Sequence, residues 1–144
     1  MTIQYLNPPD IHAPVGAYSH TASVPQGTEM IFVSGQVGMR ADGSVPEAFA
    51  EQAELVFQNL RSCLAAHGLG MEAVVKLTSY LLPGQDIQLM REIRQRYLRG
   101  HRPASTLVYV PLLASPSFLL EVEATAAKRL AAGKPSDPGV EPPA

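Results

Sequence analysis

Two amphipathic helices set between apolar strands are the feature that most constrains how this chain can fold. An apolar stripe at three- to four-residue spacing predicts a first helix at about residues 46–66. A second stripe follows Asp86, a candidate N-cap, and ends before Gly100. Because two helices can cover only one face of a sheet, the other face has to be polar or buried against further copies of the chain.

Apolar and β-branched runs predict the strands around these helices. They lie at residues 17–24, 30–34, 74–82, from about 105 onward, and at 118–126. The tight connection Gln26–Gly27 separates the first two, which are expected to form an antiparallel hairpin. The order is β-β-α-β-α-β-β, a single α+β domain with a mixed sheet and both helices on one face. The sheet segments are too apolar for full exposure, which favours an oligomer.

Local signals predict the ends and faces of the two helices. Ser44, with Glu47 three residues later, forms a capping box that predicts the start of the first helix. A solvated basic face on the second helix is favoured over an RNA-binding face, because no aromatic stacking platform accompanies it. The buried stripe of that helix is expected to be Ile87, Met90, Ile93 and Tyr97, and its outward face Arg94, Arg96 and Arg99.

Composition and charge exclude several classes of protein. The 144 residues carry a net charge of −2 with a pI of about 6.0, so binding to nucleic acid or to an anionic membrane is not expected. The segment Met1–Tyr5 is not expected to be a signal peptide, because no basic stretch followed by an apolar stretch occurs there, and no apolar run reaches the roughly 20 residues that span a bilayer. A single cysteine, Cys63, allows no disulfide within the chain. We expect a soluble cytoplasmic protein with one domain at 1–130 and a flexible tail at 131–144.

Two carboxylates on the last strand are the most informative chemical signal. Glu121 and Glu123 are two positions apart, so they point to the same face of the strand, opposite Val122. On an apolar strand they need water, a cation or each other. Two interpretations stay open: an ion-paired or solvated edge, and a cleft in which one carboxylate holds or activates water.

Other side chains give weaker signals. Tyr18 follows the turn at Gly16 and could orient a ligand, although a structural tyrosine is the commoner case. Lys76 lies in an apolar strand where a desolvated amine could form a Schiff base, although a surface or ion-paired lysine is the commoner case. The four histidines and Cys63 show no metal-ligand spacing.

Several short segments together resemble the Rid (reactive intermediate deaminase) family, the YjgF-type or liver perchloric-acid-soluble proteins. They stand in the family's order, cover about residues 10–128, and in combination are specific for the fold. The matching segments are Pro14–Ser19, Phe32–Val37, Glu51–Gln52 through Gln58–Leu60, Val74–Thr78, Pro103–Ala104 and Glu121–Ala124.

The resemblance implies a chorismate-mutase-like trimeric barrel, a homotrimer with the sheets inside, the helices outside and three clefts between subunits. It also implies a small-molecule ligand and neither a metal nor a cofactor, since the founding subgroup hydrolyses imines and enamines to 2-keto acids and ammonia without them. The site residues carried over from the family are Ser34 and Gly35, the Leu107 amide, Tyr18 and Glu121.

The chain departs from the founding subgroup at the residue after Pro103–Ala104. The subgroup has an arginine there that grips the substrate carboxylate, whereas this chain has Ser105. A hydroxyl gives one neutral hydrogen bond, while arginine gives a bidentate, charge-assisted pair. Arg91 and Arg102 are the candidates for a replacement cation.

Three functions fit this pattern. The first is a divergent hydrolase or deaminase of a small enamine, imine or related conjugated metabolite, in which Glu121 positions water while Tyr18 and Ser105 hydrogen-bond to the ligand. The second is a ligand-binding or regulatory trimer that kept the cleft without the chemistry. The third is RNA cleavage, which the acidic pI and the missing stacking aromatics disfavour.

Overall fold

The computed structural model describes residues 2–130 and folds them into strands and two helices of an α+β domain. The tail predicted at 131–144 lies outside the described residues. The elements are β1 (Gln4–Leu6), β2 (Thr21–Ser23), β3 (Thr28–Val37), α1 (Phe49–Ala65), β4 (Val74–Leu81), α2 (Ile87–Leu98), β5 (Ala104–Tyr109) and β6 (Leu120–Arg129), with a 3₁₀ turn at Met71–Ala73.

A four-stranded mixed sheet in the order β3-β6-β4-β5 is the centre of the domain. β6 runs antiparallel to both of its neighbours, while β5 lies parallel to β4. A parallel pair needs a crossover connection, and α2 supplies it. The predicted α+β class is confirmed, and β5 becomes one edge of the sheet while β3 becomes the other.

One hydrophobic core lies between the sheet and the two helices. Phe57 and Leu60 of α1 and Met90 of α2 are fully buried in it, together with Leu77 and Val122 from the sheet. The alternation predicted for the last strand is confirmed, because its odd-numbered glutamates lie on the opposite face from its buried residues. Neither helix in residues 2–130 is long and apolar enough to cross a membrane.

The predicted hairpin between the first two strands is wrong. β2 pairs with β1 instead, with Tyr5 opposite Ala22, and β3 pairs along its length with β6. Gly27 does turn the chain between β2 and β3, with a φ of 80°. The segment before β2 is held elsewhere, because Ser19 N donates a hydrogen bond to Pro103 O at 3.1 Å. Only three residues of this segment are therefore left for the strand.

The two predicted helix caps have different outcomes. The capping box at Ser44 is wrong, since the N-cap of α1 is Ala48 and makes no side-chain cap hydrogen bond. The Ser44 hydroxyl instead donates to Asp42 Oδ1 at 2.6 Å, so a local turn uses it. The cap on α2 is confirmed, because Asp86 Oδ1 accepts a hydrogen bond from a first-turn amide at 3.0 Å.

The face of the sheet away from the helices carries apolar side chains as well as the two glutamates. Phe32 of β3 is 79% exposed there, and Met30 and Val108 are partly exposed on the same face. Exposed apolar surface of this kind often marks a contact with another molecule. Burial of this face against further copies of the chain stays a prediction.

Candidate functional site

The start of β5 is held in place by the loop that precedes β2. Besides its backbone contact with Pro103, Ser19 donates a side-chain hydrogen bond to Arg102 O at 2.7 Å. A parallel bridge also pairs Ser19 with Ala104. Ser19 is only 6% exposed, so these hydrogen bonds are shielded from water. They bring the neighbouring Tyr18 to the side of the strand where Ser105 lies.

A cavity of about 320 Å³ opens between this loop, β5 and α2. It brings together several of the residues predicted from the sequence, namely Tyr18, Arg91, Ser105 and Leu107. The remaining lining residues are Val15, Gly16, Arg94 and Thr106. We call this the β5 cavity.

Arg94 is the residue of the β5 cavity that the sequence interpretation missed. It was expected on the outward face of α2, but it is only 5% exposed, so that expectation is wrong. Its Nη1 lies 3.4 Å from Ser105 Oγ, and its buried Nε has no hydrogen-bond partner in the described part of the chain. The spacing contained a signal, because Arg94 comes seven residues, about two helical turns, after Ile87 of the buried stripe.

The wall of the β5 cavity formed by α2 is strongly positive. Burial lowers the pKa of Arg94 below its usual value, and the nearby charge of Arg91 lowers it further. The salt bridges formed within residues 2–130 join other arginines, Arg40 and Arg96, to glutamates. Both guanidiniums of the cavity are therefore without a carboxylate partner in that range.

The hydroxyl of Tyr18 can still donate a hydrogen bond. Val15 N donates to Tyr18 Oη at 3.3 Å, so the phenol acts as an acceptor in this contact. Its own O–H is left to hydrogen-bond to a ligand. The ring is steadied by an edge-on contact with His20, with centroids 5.7 Å apart.

A second group of predicted residues lies where β3 meets β6. The pairing of these strands shifts between Val33 and Gln36, so Ser34 and Gly35 form a bulge beside Glu121. A Cβ atom built on Gly35 would lie 2.0 Å from Glu121 Oε1. Only glycine therefore leaves room for the carboxylate to lie against the backbone here.

The two glutamates of β6 have different surroundings. Glu123 Oε1 accepts a hydrogen bond from Tyr80 Oη at 2.7 Å, which raises the pKa of Tyr80. Glu121 lies opposite Tyr80 in the strand register but has no such partner within residues 2–130. Glu123 is thus hydrogen-bonded to a tyrosine and not ion-paired, whereas the Glu121 carboxylate has no hydrogen-bond partner among the described residues.

The two groups of residues lie apart in one chain. Ser105 is paired with Leu77 on the helix-covered face, whereas Glu121 is paired with Tyr80 on the open face, two strands away. Gly35, Ser34 and Glu121 do not line the β5 cavity. A single subunit thus presents two separate groups of candidate residues, one at the β5 edge and one where the β3 edge meets β6, and we call these groups the two half-sites.

Two other candidates lie outside both half-sites. Arg102 lines a different cavity, of about 290 Å³, with Gln95 and His101. Lys76 Nζ donates to Thr106 Oγ1 at 2.7 Å on the open face. No group of three or more His, Cys, Asp or Glu within residues 2–130 is arranged to hold a metal ion.

Comparison with protein families and curated sequences gives consistent matches. The family model described as Endoribonuclease L-PSP matches residues 10–128. Protein HMF1 of Saccharomyces cerevisiae is 31% identical over 118 residues, which cover 81% of this chain and 88% of that protein. A RutC family protein of Aquifex aeolicus is 32% identical over 126 residues, covering 83% of this chain and 95% of that protein.

Solved structures share the same fold. The Rid-family protein YyfB of Yersinia pestis superposes with a TM-score of 0.78 at 27% identity, covering 89% of this chain and 100% of its own. TdcF of Escherichia coli, crystallised with bound serine, has a TM-score of 0.65 at 25% identity and covers 87% of this chain and 98% of its own.

Proposed function

The chain belongs to the Rid family, described in its family model as Endoribonuclease L-PSP, and we propose that it is a divergent hydrolase of small imines and enamines. The observation that carries the proposal is the close approach of Gly35 to the carboxylate of Glu121, which has no hydrogen-bond partner within residues 2–130. A backbone amide and a free carboxylate side by side can bind a developing oxyanion and activate a water molecule.

The reaction adds water to a C=N bond and then expels ammonia. Glu121 accepts a proton as the water oxygen bonds to the imine carbon, and it returns that proton to the nitrogen to give a carbinolamine. The exchange is repeated when the carbinolamine O–H is deprotonated, the C–N bond breaks and ammonia leaves. One imine and one water thus give one carbonyl compound and one ammonia. An enamine enters after it tautomerises to the imine, gaining a proton on carbon and losing one from nitrogen.

The β5 cavity supplies the other side of this site. Tyr18 donates its free O–H to the ligand, and the Leu107 amide and the Ser105 hydroxyl line the same wall. TdcF, which carries the provisional name of a reactive intermediate deaminase, was crystallised with serine, a small amino acid. A ligand of that size fits a cavity of about 320 Å³.

The proposal requires a second copy of the chain, because the half-sites lie at opposite edges of the sheet. An unpaired strand edge is a template for pairing with another chain. We therefore propose a homotrimer, the assembly general in the Rid family, in which the β5 edge of one subunit meets the β3 edge of the next. The exposed Phe32 is then buried, and Glu121 of one subunit faces the β5 cavity of its neighbour.

The direct test follows ammonia and 2-keto acid release from an enzymatically generated 2-imino acid. We expect the wild-type protein to accelerate release, and the Glu121→Gln variant to lose roughly 10²-fold or more of that rate. Glu123→Gln is the matched control, because it removes a neighbouring charge on the same strand face. It should stay within a few-fold of wild type.

A rate equal to the protein-free background would contradict the hydrolase assignment. If a small ligand nevertheless binds and raises the melting temperature, the non-catalytic ligand-binding trimer is the better description. Cleavage of single-stranded RNA by the same preparation, lost in Glu121→Gln, would instead support the endoribonuclease named in the family description.

A further inference from the structure

The β5 cavity contains a buried positive charge that the domain itself does not use. Arg94 is only 5% exposed, its Nε has no hydrogen-bond partner within residues 2–130, and its guanidinium makes one long hydrogen bond, to Ser105 Oγ at 3.4 Å. Folding buries such a group at a cost, and a structural arginine would normally be paired. Burial of a guanidinium that stabilises nothing in the domain indicates that it binds a ligand.

We propose that Arg94 is the anion-binding residue of the cavity and that its ligand carries a carboxylate. The inference rests on the proposed function for placing the substrate in this cavity. It identifies α2, and not the β5 strand, as the element that supplies the cation. Neither Arg91 nor Arg102, the two candidates from the sequence, has this combination of burial and position.

Ser105 and Arg94 are complementary in size. The Arg94 guanidinium lies beside the Ser105 hydroxyl, in the space that a long side chain at position 105 would enter. An arginine at position 105 would bring a second guanidinium against the first, and two like charges there repel. The serine is therefore what makes room for the cation from α2, and it does not by itself mean that the site has lost its charge.

The donors fit a planar carboxylate. A guanidinium presents parallel N–H groups that match the two carboxylate oxygens, and the Ser105 O–H can donate to the same group. Arg91, exposed at the cavity mouth, adds attraction for an approaching anion. The volume of about 320 Å³ limits the ligand to a small molecule, such as a 2-imino acid or its 2-keto acid product.

Binding can be tested separately from turnover with 2-oxobutanoate, which has no C=N bond to hydrolyse. Titration calorimetry on the assembled wild-type protein should show binding of 2-oxobutanoate but not of its neutral amide, 2-oxobutanamide. We expect Arg94→Met to weaken binding about 10-fold or more, because it removes a charge-assisted pair. Arg99→Gln, which removes one charge beyond the end of the same helix and outside the cavity, should bind as wild type does.

Exchanging the residues at positions 94 and 105 provides a second test of the inference. Ser105→Arg alone should weaken binding, because it crowds two guanidiniums together. The double variant Arg94→Ser/Ser105→Arg should regain carboxylate binding through an arginine on the strand. Recovery in the double variant would show that the fold tolerates both the loss of Arg94 and an arginine at position 105.

Three results would overturn the inference: equal binding by wild type and Arg94→Met, equal binding of the acid and the amide, or tighter Arg94-dependent binding of inorganic phosphate. These outcomes are distinguishable from failure of the hydrolase proposal. Arg94-dependent binding without imine turnover supports the inference and contradicts the hydrolase proposal. Normal turnover by Arg94→Met contradicts the inference and leaves the hydrolase proposal intact.

Discussion

Arg94→Met should make the ligand-free protein more stable while it weakens the binding of carboxylates. The substitution keeps the long apolar stem packed under α2 and removes only the guanidinium. What is lost structurally is one weak contact of 3.4 Å to Ser105. What is gained is relief of the buried Nε, which has no partner within residues 2–130 and whose desolvation costs about 1–3 kcal/mol.

The net expectation is a free energy of unfolding about 1–2 kcal/mol higher for Arg94→Met, or a melting temperature raised by roughly 3–8 °C for a domain of this size. Thermal and denaturant unfolding are compared at one protein concentration, because assembly makes the melting temperature concentration-dependent. In the presence of 2-oxobutanoate the difference in stability between Arg94→Met and the wild type should shrink or change sign, because the ligand stabilises the wild type more.

Arg96→Met is the matched control, with the same substitution on the same helix at an arginine that is paired with Glu54. It should leave the free energy of unfolding unchanged or lower it only slightly, because an exposed ion pair contributes little. The reasoning fails if Arg94→Met destabilises the ligand-free protein by more than the Arg96 control does. That result would mean that Arg94 has a structural role and that its burial needs no ligand to explain it.

Three further changes test other parts of the structure. Hydrogen bonding to Arg96 lowers the pKa of Glu54, so the stability that this carboxylate contributes is complete above its usual pKa of 4.5 and is lost as the pH falls through the lower pKa of the folded state. Glu54→Gln should therefore lower the free energy of unfolding by up to about 1 kcal/mol at pH 7, measured by urea unfolding. The difference from wild type should shrink below pH 4.5. A constant difference across that range would contradict this assignment. Gly38→Ala would place a Cβ 2.6 Å from the Gln52 backbone of α1, so it should lower the free energy of unfolding by roughly 1–3 kcal/mol in the same assay. An unchanged unfolding midpoint would show that α1 moves to make room for the methyl group. Phe32→Glu puts a charge on the proposed contact face, so sedimentation should show smaller species than the trimer proposed for the wild type. An unchanged sedimentation coefficient would place the subunit contact elsewhere.

Periodicity was enough to predict the layers of this fold. The alternation around Val122 gave the correct face for both glutamates of β6, and Asp86 marked the start of α2 because its cap depends on residues within one helical turn. Burial patterns and caps are local properties, so a single sequence contains them.

Which strands pair, and whether a charged side chain is buried, depend on tertiary structure, and the sequence alone did not predict either correctly. The hairpin prediction failed because strand pairing was decided by Ser19, which is bound to residues at the start of β5 more than 80 positions away. Arg94 was placed outside because charged side chains usually lie in water, although its position continued the buried stripe. The candidate site was therefore predictable only in part. The family pattern showed that Ser105 replaces an arginine, but only the packing of α2 showed that Arg94 lies beside it.

A crystal structure of the assembled protein with 2-oxobutanoate tests the central claim most directly. We predict that the ligand carboxylate lies within hydrogen-bond distance of Arg94 and Ser105 of one subunit, and that its keto carbon faces Glu121 and Gly35 of the neighbouring subunit. A carboxylate bound at Arg102, or in any cavity to which Glu121 of another subunit does not contribute, would contradict the account.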